Sequence, residues 1–447
     1  MMRTDTPDKN TQKKGTWRSY LFVLLLDLLA LVANQLAARS SSFAGAYSHY
    51  VYRVLSLGIG SVMGLLPFSV VELLLYATIL FVLFDFVKQL CRAVRAGAGC
   101  LHPAPGSQAQ AVRASQASLA HAETATNSKG TTSGSAETQS DEPQHLLAAV
   151  ARPLRRFLGH LFLLLSTLLV LYVFLCGINY HRTSFSQEAG LSVTIDEHGT
   201  VYDEADLVAL CDYLVTEIND TEAQLAATAI QVEGACIGQT SETPKPSATW
   251  LWHAGRTGQR AMEKLGQRYR RLSGHYPFPK PILNTWILSI QQTTGVYSPF
   301  TVEANYNRDI AYYDIPFTIC HELSHLRGYM QEEEANFIGV LATIGADDLY
   351  FNYSGYVSAW VYAGNALARI DSTAFATLYA RINARTRQDM LYNNAYWQQF
   401  EGKPAEAHEQ LNDAYLKMQG QATGVRSYGH VTDLMLEYFA KNGTLTQ

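Results

Sequence analysis

Residue types capable of joint chemistry gather in one segment of the chain, Asp314-Ile-Pro-Phe-Thr-Ile-Cys-His-Glu-Leu-Ser-His-Leu-Arg-Gly328. Asp314 can cap a helix, Pro316 suits its first turn and Gly328 can end it. On such a helix His321 and His325 stand four residues apart, so both imidazoles project from one face, as two ligands of a single ion require. Ile319, Leu323 and Leu326 line another face that can anchor the helix in a core, and Cys320 turns toward packing. Glu322 lies about 100° round the helix from His321. From there it can reach a water at the metal without binding the metal itself, which is the place of a general base in zinc-assisted hydrolysis.

A catalytic zinc needs a third protein ligand and an open position. Shortly after Gly328 comes Gln331-Glu-Glu-Glu-Ala-Asn-Phe-Ile-Gly339, which reads as the start of a second helix. Glu332, Glu333 and Glu334 are acids of the kind that favour a helix N-terminus, and one of them is also expected as the ligand. Val296–Tyr306 reads as a strand before the histidine helix, where a substrate backbone can be paired by strand addition, with Glu303 and Asn305 as side chains for the cleft or for each other. An oxyanion donor is also required, and Tyr428 and His430 are the candidates, Arg426 the third, against ordinary packing roles for each.

The run HELSH followed by EEEANFIG resembles the gluzincin metallopeptidases, in which a downstream helix carrying Glu-x-x-Ala-Asp/Asn supplies the third ligand. That resemblance implies Glu332 as the ligand, with Asn336 orienting a ligand histidine. The step from His325 to Glu332 is shorter than in many gluzincins, which keeps Glu333 and Glu334 in play. More closely, the chain resembles the DUF3810 family of bacterial membrane proteins. It does so through its N-terminal spans, GVYSPFTVEANYN (Gly295–Asn307), the HExxH helix, EEEANF and the tail DAYLKMQGQATGVRSYGHVTDLM (Asp413–Met435).

The elements that must position these residues follow from where the apolar residues lie. The chain has 447 residues, 48% of them hydrophobic, and a net charge of -5, which gives no reason to expect nucleic acid as a partner. Much of the apolar content sits in three runs, Ser19–Ala37, Val71–Val87 and Phe157–Ile178, each near the 20 or so residues that cross a bilayer. Lysines and arginines gather before the first run, after the second (Lys88, Arg92, Arg95) and before the third (Arg152, Arg155, Arg156), while the first loop holds only Arg39 and Arg53. By the positive-inside rule the tail 1–18 and the loop 91–154 are cytoplasmic and everything after Ile178 is outside. A basic tail followed by small residues also suits a cleaved signal peptide for the first run, which would leave the later orientation unchanged. Asp27, Glu72 and Asp85 lie in or at the ends of the first two runs, and helix–helix contact or an interfacial position is their expected role rather than a functional one. The loop 41–69 is expected to lie on the outer surface.

Residues 97–146, rich in Ala, Ser, Gln, Thr and Gly, are too poor in large apolar side chains to offset chain entropy, so 91–154 is expected to be a disordered linker. Residues 19–90 are then two transmembrane helices with an outer loop, 155–178 a third, and 179–447 one zincin-like domain. That domain is expected to be mostly α (α+β), with helices at Asp203–Gln224 and Ala248–Arg271 and a pair of strands at Ile282–Ile290 and Val296–Tyr306. Six cysteines contain no CxxC pair. A Cys211–Cys236 disulfide would suit an extracytoplasmic domain.

The expected function is a multi-pass zinc metallopeptidase hydrolysing peptide bonds of a peptide or protein substrate at the outer face of the bilayer. A zinc-stabilised sensor or binding module without turnover is the alternative, and Glu322 argues against it, since a degenerate site tends to lose its base. An intramembrane protease is disfavoured by Asp314, Arg327 and Glu332–Glu334 around the motif.

Overall fold

The computed structural model describes residues 9–101, 142–191, 202–228, 236–418 and 430–446. In order these form α1 (Lys9–Arg39), α2 (Ser41–Tyr47), a π-helical turn (Ser48–Tyr52), α3 (Arg53–Met63), α4 (Val70–Leu101) and α5 (Glu142–Leu175). A 3-10 turn (Gly177–His181), α6 (Phe185–Glu188), α7 (Glu204–Thr228), α8 (Ala248–Arg268), β1 (Lys280–Pro281), α9 (Trp286–Ser289), β2 (Gly295–Ser298) and β3 (Glu303–Tyr306) follow. The chain continues through α10 (Asp314–His325), α11 (Glu332–Ile344), α12 (Leu349–Ile370), α13 (Ser372–Arg381), α14 (Ala384–Gln398), α15 (Lys403–Met418) and α16 (His430–Asn442).

Three stretches, Arg18–Arg39, Val70–Ala98 and Val150–His181, are helices long and apolar enough to cross a membrane. Their outward faces carry exposed Leu25, Leu28, Leu80 and Phe84, side chains that water penalises and hydrocarbon accepts. Most of the expected linker lies outside the described residues. Its ends, 91–101 and 142–154, are helical continuations of α4 and α5 rather than linker, because Ala, Arg and Leu dominate there and favour helix.

Two compact units divide the chain, residues 1–23 with 74–167, and residues 24–73 with 168–447. In the first, Asp85 bridges α4 and α5 by a 2.8 Å contact to His160 Nδ1 and accepts from Gln89 on its own helix at 2.9 Å. A carboxylate placed this way is a helix–helix contact, as expected.

The second unit holds the core. α7 packs along α12, and α10 is enclosed by α8, α11, α12 and the small sheet, with Ile315, Ile319 and Leu323 at 0% exposure. Helix starts are fixed by side-chain caps, Ser247 for α8, Asp348 for α12 and Asp371 for α13. The sheet has the order β1-β3-β2, with β1 parallel and β2 antiparallel to β3, so β2 is an edge strand.

Several expectations need correction here. Ile282–Ile290 is not a strand, because its centre turns into α9. Val296–Tyr306 is a hairpin of two strands, since Pro299 and Val302 (φ 53°) fold the chain back. Cys211 and Cys236 are free thiols, Cys211 wholly buried in the core.

Residues on both sides of 179 fall in one compact unit. The segment 24–73 docks on the later domain through Arg53, which donates to the Ser273 carbonyl at 2.9 Å, and Tyr52, which donates to the His325 carbonyl at 3.1 Å. Glu72 accepts from the backbone N–H groups of Leu283 and Asn284, each at 2.9 Å.

Candidate metal centre

The face of α10 that carries the two histidines is presented to the first turn of α11, which the short loop 326–331 brings alongside. Gly328 makes that return feasible. It adopts φ +82°, the left-handed region that costs glycine least, where the helix gives out.

The ligand atoms of His321, His325 and Glu332 lie within 4.8 Å of one another. His321 Nε2 is 3.2 Å from His325 Nε2 and 3.3 Å from Glu332 Oε2, and His325 Nε2 is 3.9 Å from Glu332 Oε1. Atoms bound at about 2.1 Å round a tetrahedral ion stand about 3.4 Å apart, so the spacing suits one small cation. His325 Nδ1 donates to the Tyr329 carbonyl at 2.6 Å, which fixes the tautomer and leaves the Nε2 lone pair facing the site. Asn336, one turn along α11 from Glu332, meets His321.

The three glutamates separate cleanly. Glu332 faces both histidines. Glu334 is turned away and accepts from the Ser186 N–H (3.0 Å) and hydroxyl (2.8 Å), tying α11 to α6. Glu333 is not in the ligand group.

Charge at the site follows burial. Burial lowers the pKa of His325 to about 4, keeping it a neutral donor of electrons. Burial also disfavours charge on His321, but its hydrogen bond to Glu332 and that carboxylate's charge outweigh this and raise it to about 8. Glu332 is correspondingly held below the usual carboxylate range against the effect of burial, by His321 and then His325. The pair is held together by a positive charge that a divalent cation would supply more strongly.

Glu322 stands apart from this ligand group but close to it, with Oε1 at 4.0 Å from His321 Nε2. Burial pushes its pKa up to about 8, with the His321 charge opposing and Glu332 adding. Its Oε2 is buried without a hydrogen-bond partner, as are His321 Nδ1 and Asn336 Nδ2. A buried carboxylate oxygen without a donor is costly unless something absent from the polypeptide meets it. The three ligand atoms with the Glu322 carboxyl beside them fit a bound metal with an acid–base group next to it.

The site opens into a cleft of about 1050 Å3. One wall is β2, whose free edge runs along the opening at Gly295, Val296 and Tyr297; another is α15, and Tyr172, Cys176 and Tyr180 approach from the end of the third apolar stretch. Tyr180 and Tyr172 each meet the Tyr415 hydroxyl at 3.0 Å.

Residues 146–436 match the family described as "Protein of unknown function (DUF3810)". The chain belongs to this family. In this DUF3810 protein the match starts in α5, takes in every element of the cleft and ends within α16, leaving α1–α4 outside it. No curated protein and no solved structure matches. The family description carries no activity, so the chemistry rests on the side chains.

Of the residues expected at the site, His321, Glu322, His325, Glu332 and Asn336 are together. Glu303 and Asn305 do not line the cleft. Glu303 pairs with Lys280, and Asn305 donates to the carbonyls of Val296 and Glu303. Tyr428 and Arg426 lie outside the described residues, and His430, half-buried at the start of α16, is not among the cleft-lining side chains. Asp314 does not cap α10; Tyr313 occupies the cap position without a side-chain bond, and Asp314 instead lines the cleft with Thr318. Their spacing from Glu322, two turns and one turn back on the same face, was the signal in the sequence.

Proposed function

We propose that the protein is a membrane-anchored zinc peptidase whose ligands are His321, His325 and Glu332 and whose general base is Glu322. The observation that carries the reading is the convergence of three ligand atoms within 4.8 Å beside a buried carboxyl with an unpartnered oxygen, all on the wall of one open cleft. Two imidazoles and one carboxylate suit zinc better than harder ions.

When bound there, zinc polarises the scissile carbonyl and makes a water readily deprotonated. Glu322, whose carboxyl stands beside the ligand group, would take the proton of the attacking water and return it to the leaving amine. Burial raises the pKa of this carboxyl, and the charge of a bound cation would draw it back toward the range in which it can both accept and return a proton. The free edge of β2 holds the substrate backbone as an added strand, setting the peptide bond across the face of α10. Tyr329, through its carbonyl, keeps His325 in the tautomer that the site needs.

The three apolar helices are read as membrane spans, with residues 179–447 outside the cell. The lysine and arginine distribution motivates that direction. Docking of residues 41–69 on the later domain fits the crossings themselves, since the two spans between them return the chain to one side; the direction rests on the charge distribution alone.

Metal analysis of the full chain in lipid nanodiscs, paired with a peptide-library assay with and without chelator, tests the reading. About one zinc per chain and chelator-sensitive cleavage are expected. A chain that takes up no metal from a zinc-containing buffer would refute it.

A further inference from the structure

The cleft has a second polar wall that catalysis does not use. Two turns before Glu322 on the same face of α10, Asp314 lines the cavity, and its side chain forms no hydrogen bond or ion pair among the described residues. Thr318, one turn before Glu322, and Ser358 of α12 line it too, with 1% and 4% exposure. Both hydroxyls are without partners. A helical serine or threonine hydroxyl ordinarily returns to a carbonyl one turn back, so two that do not, on the lining of one cleft, point to an absent ligand. No lysine or arginine is among the described residues lining the cleft, whereas Glu401 and, on α15, Glu406 and Glu409 line it as well. Acids with no lysine or arginine beside them in the lining favour a cation there.

We infer that Asp314, with Thr318 and Ser358, forms a specificity subsite for a basic side chain, lysine or arginine, of the polypeptide bound across the metal centre. The inference rests on the peptidase reading for its substrate, but the subsite can be read out by binding alone. A cationic side chain entering beside α10 meets the Asp314 carboxylate and offers hydrogen bonds to the two hydroxyl oxygens. Its charge favours ionisation of a carboxyl that burial otherwise raises to about 7. Asp314 is thus a selecting residue, with no part in the proton transfers of Glu322.

The test uses the full chain carrying Glu322→Gln, in nanodiscs loaded with zinc, and two fluorescent alanine-based peptides differing only in arginine versus citrulline. Citrulline keeps the shape and most of the hydrogen bonds of arginine without its charge. The arginine peptide is expected to bind about tenfold or more tightly. Adding Asp314→Asn should abolish the difference while leaving citrulline binding and thermal stability unchanged, and Asp314→Glu should retain it. Equal binding of the two peptides, or a preference untouched by Asp314→Asn, overturns the subsite. A preference that depends on Asp314 in a chain that, with Glu322 intact, cleaves neither peptide upholds the subsite and overturns the peptidase reading.

Discussion

Gly295 lies directly against Glu322, so close that a β carbon on it would fall 2.5 Å from Glu322 Oε1 and 2.8 Å from the Thr318 methyl. The first residue of the edge strand is therefore fitted to the carboxyl of the proposed base. Gly295→Ala should push Glu322 out of line while leaving the ligand side chains in place. Misplacement of a reacting group by about 1 Å costs on the order of a hundredfold in rate. The expected outcome is a fall in kcat/KM of that order with zinc content unchanged, read by steady-state kinetics beside metal analysis. Activity equal to the parent chain would show that the strand does not position Glu322.

Lys280 and Glu303 form an ion pair with side chains 1% and 2% exposed, and Glu303 also accepts from the N–H groups of Val70 and Val71 at the start of α4. Lys280 further donates to the Met63 carbonyl at 2.7 Å. Removing one member of such a pair leaves a buried charge, so Glu303→Ala should destabilise by about 3–5 kcal/mol. Lys280→Met with Glu303→Leu should recover much of that loss but not all, because the first N–H groups of α4 remain uncapped at about 1 kcal/mol. Thermal unfolding of the parent, Lys280→Met, Glu303→Leu and the double variant in nanodiscs gives the cycle. A fully additive result would remove the coupling between sheet and helix.

The direction of insertion can be read separately. Protease added to intact cells, or to protoplasts where a wall intervenes, should cut within 180–447 and spare 97–150. The lysine and arginine asymmetry motivates this, and the docking of Tyr52 and Arg53 on the C-terminal domain requires both outer segments to behave alike. Cleavage of 97–150 alone would reverse the topology.

The grouping of the two histidines and the nearby carboxylates was legible because helical periodicity is local. His321, Glu322 and His325 take their places from spacing on one helix, and only the rotation of α11 remained to choose among three adjacent glutamates. That choice depends on Ser186, a residue nearly 150 positions away that holds Glu334. The resemblance to gluzincins had named Glu332 and Asn336, and both stand beside His321. Longer-range features were not legible. Nothing in the pattern of Ile282–Ile290, apolar and β-rich, told that a four-residue helix would form there. Nor did the sequence reveal that Tyr52, Arg53 and Glu72 belong to the domain that begins more than a hundred residues later, since such docking is a tertiary event. Asp314 illustrates the ambiguity of a single acid at a helix start, which suits a cap and a cleft equally well by type.

The sharpest expectation separates holding a metal from using it. His321→Ala, His325→Ala and Glu332→Ala each remove a group of the convergent set, and each should lower zinc content well below one per chain. Glu322→Gln keeps the size of the side chain and all three ligands. It should retain zinc and the melting temperature of the parent while lowering hydrolysis by about a thousandfold or more, because an amide cannot take the water's proton. Glu334→Ala removes the acceptor for two Ser186 bonds. It should cost stability on the order of 1–3 kcal/mol with zinc retained, the reverse of the Glu332 phenotype. Metal analysis, thermal unfolding and peptide hydrolysis on the parent and these five variants give a pattern that a merely structural zinc would not produce. In that case Glu322→Gln would match the parent in every readout. If zinc is lost on changing Glu334 and kept on changing Glu332, the arrangement of α11 described here is wrong.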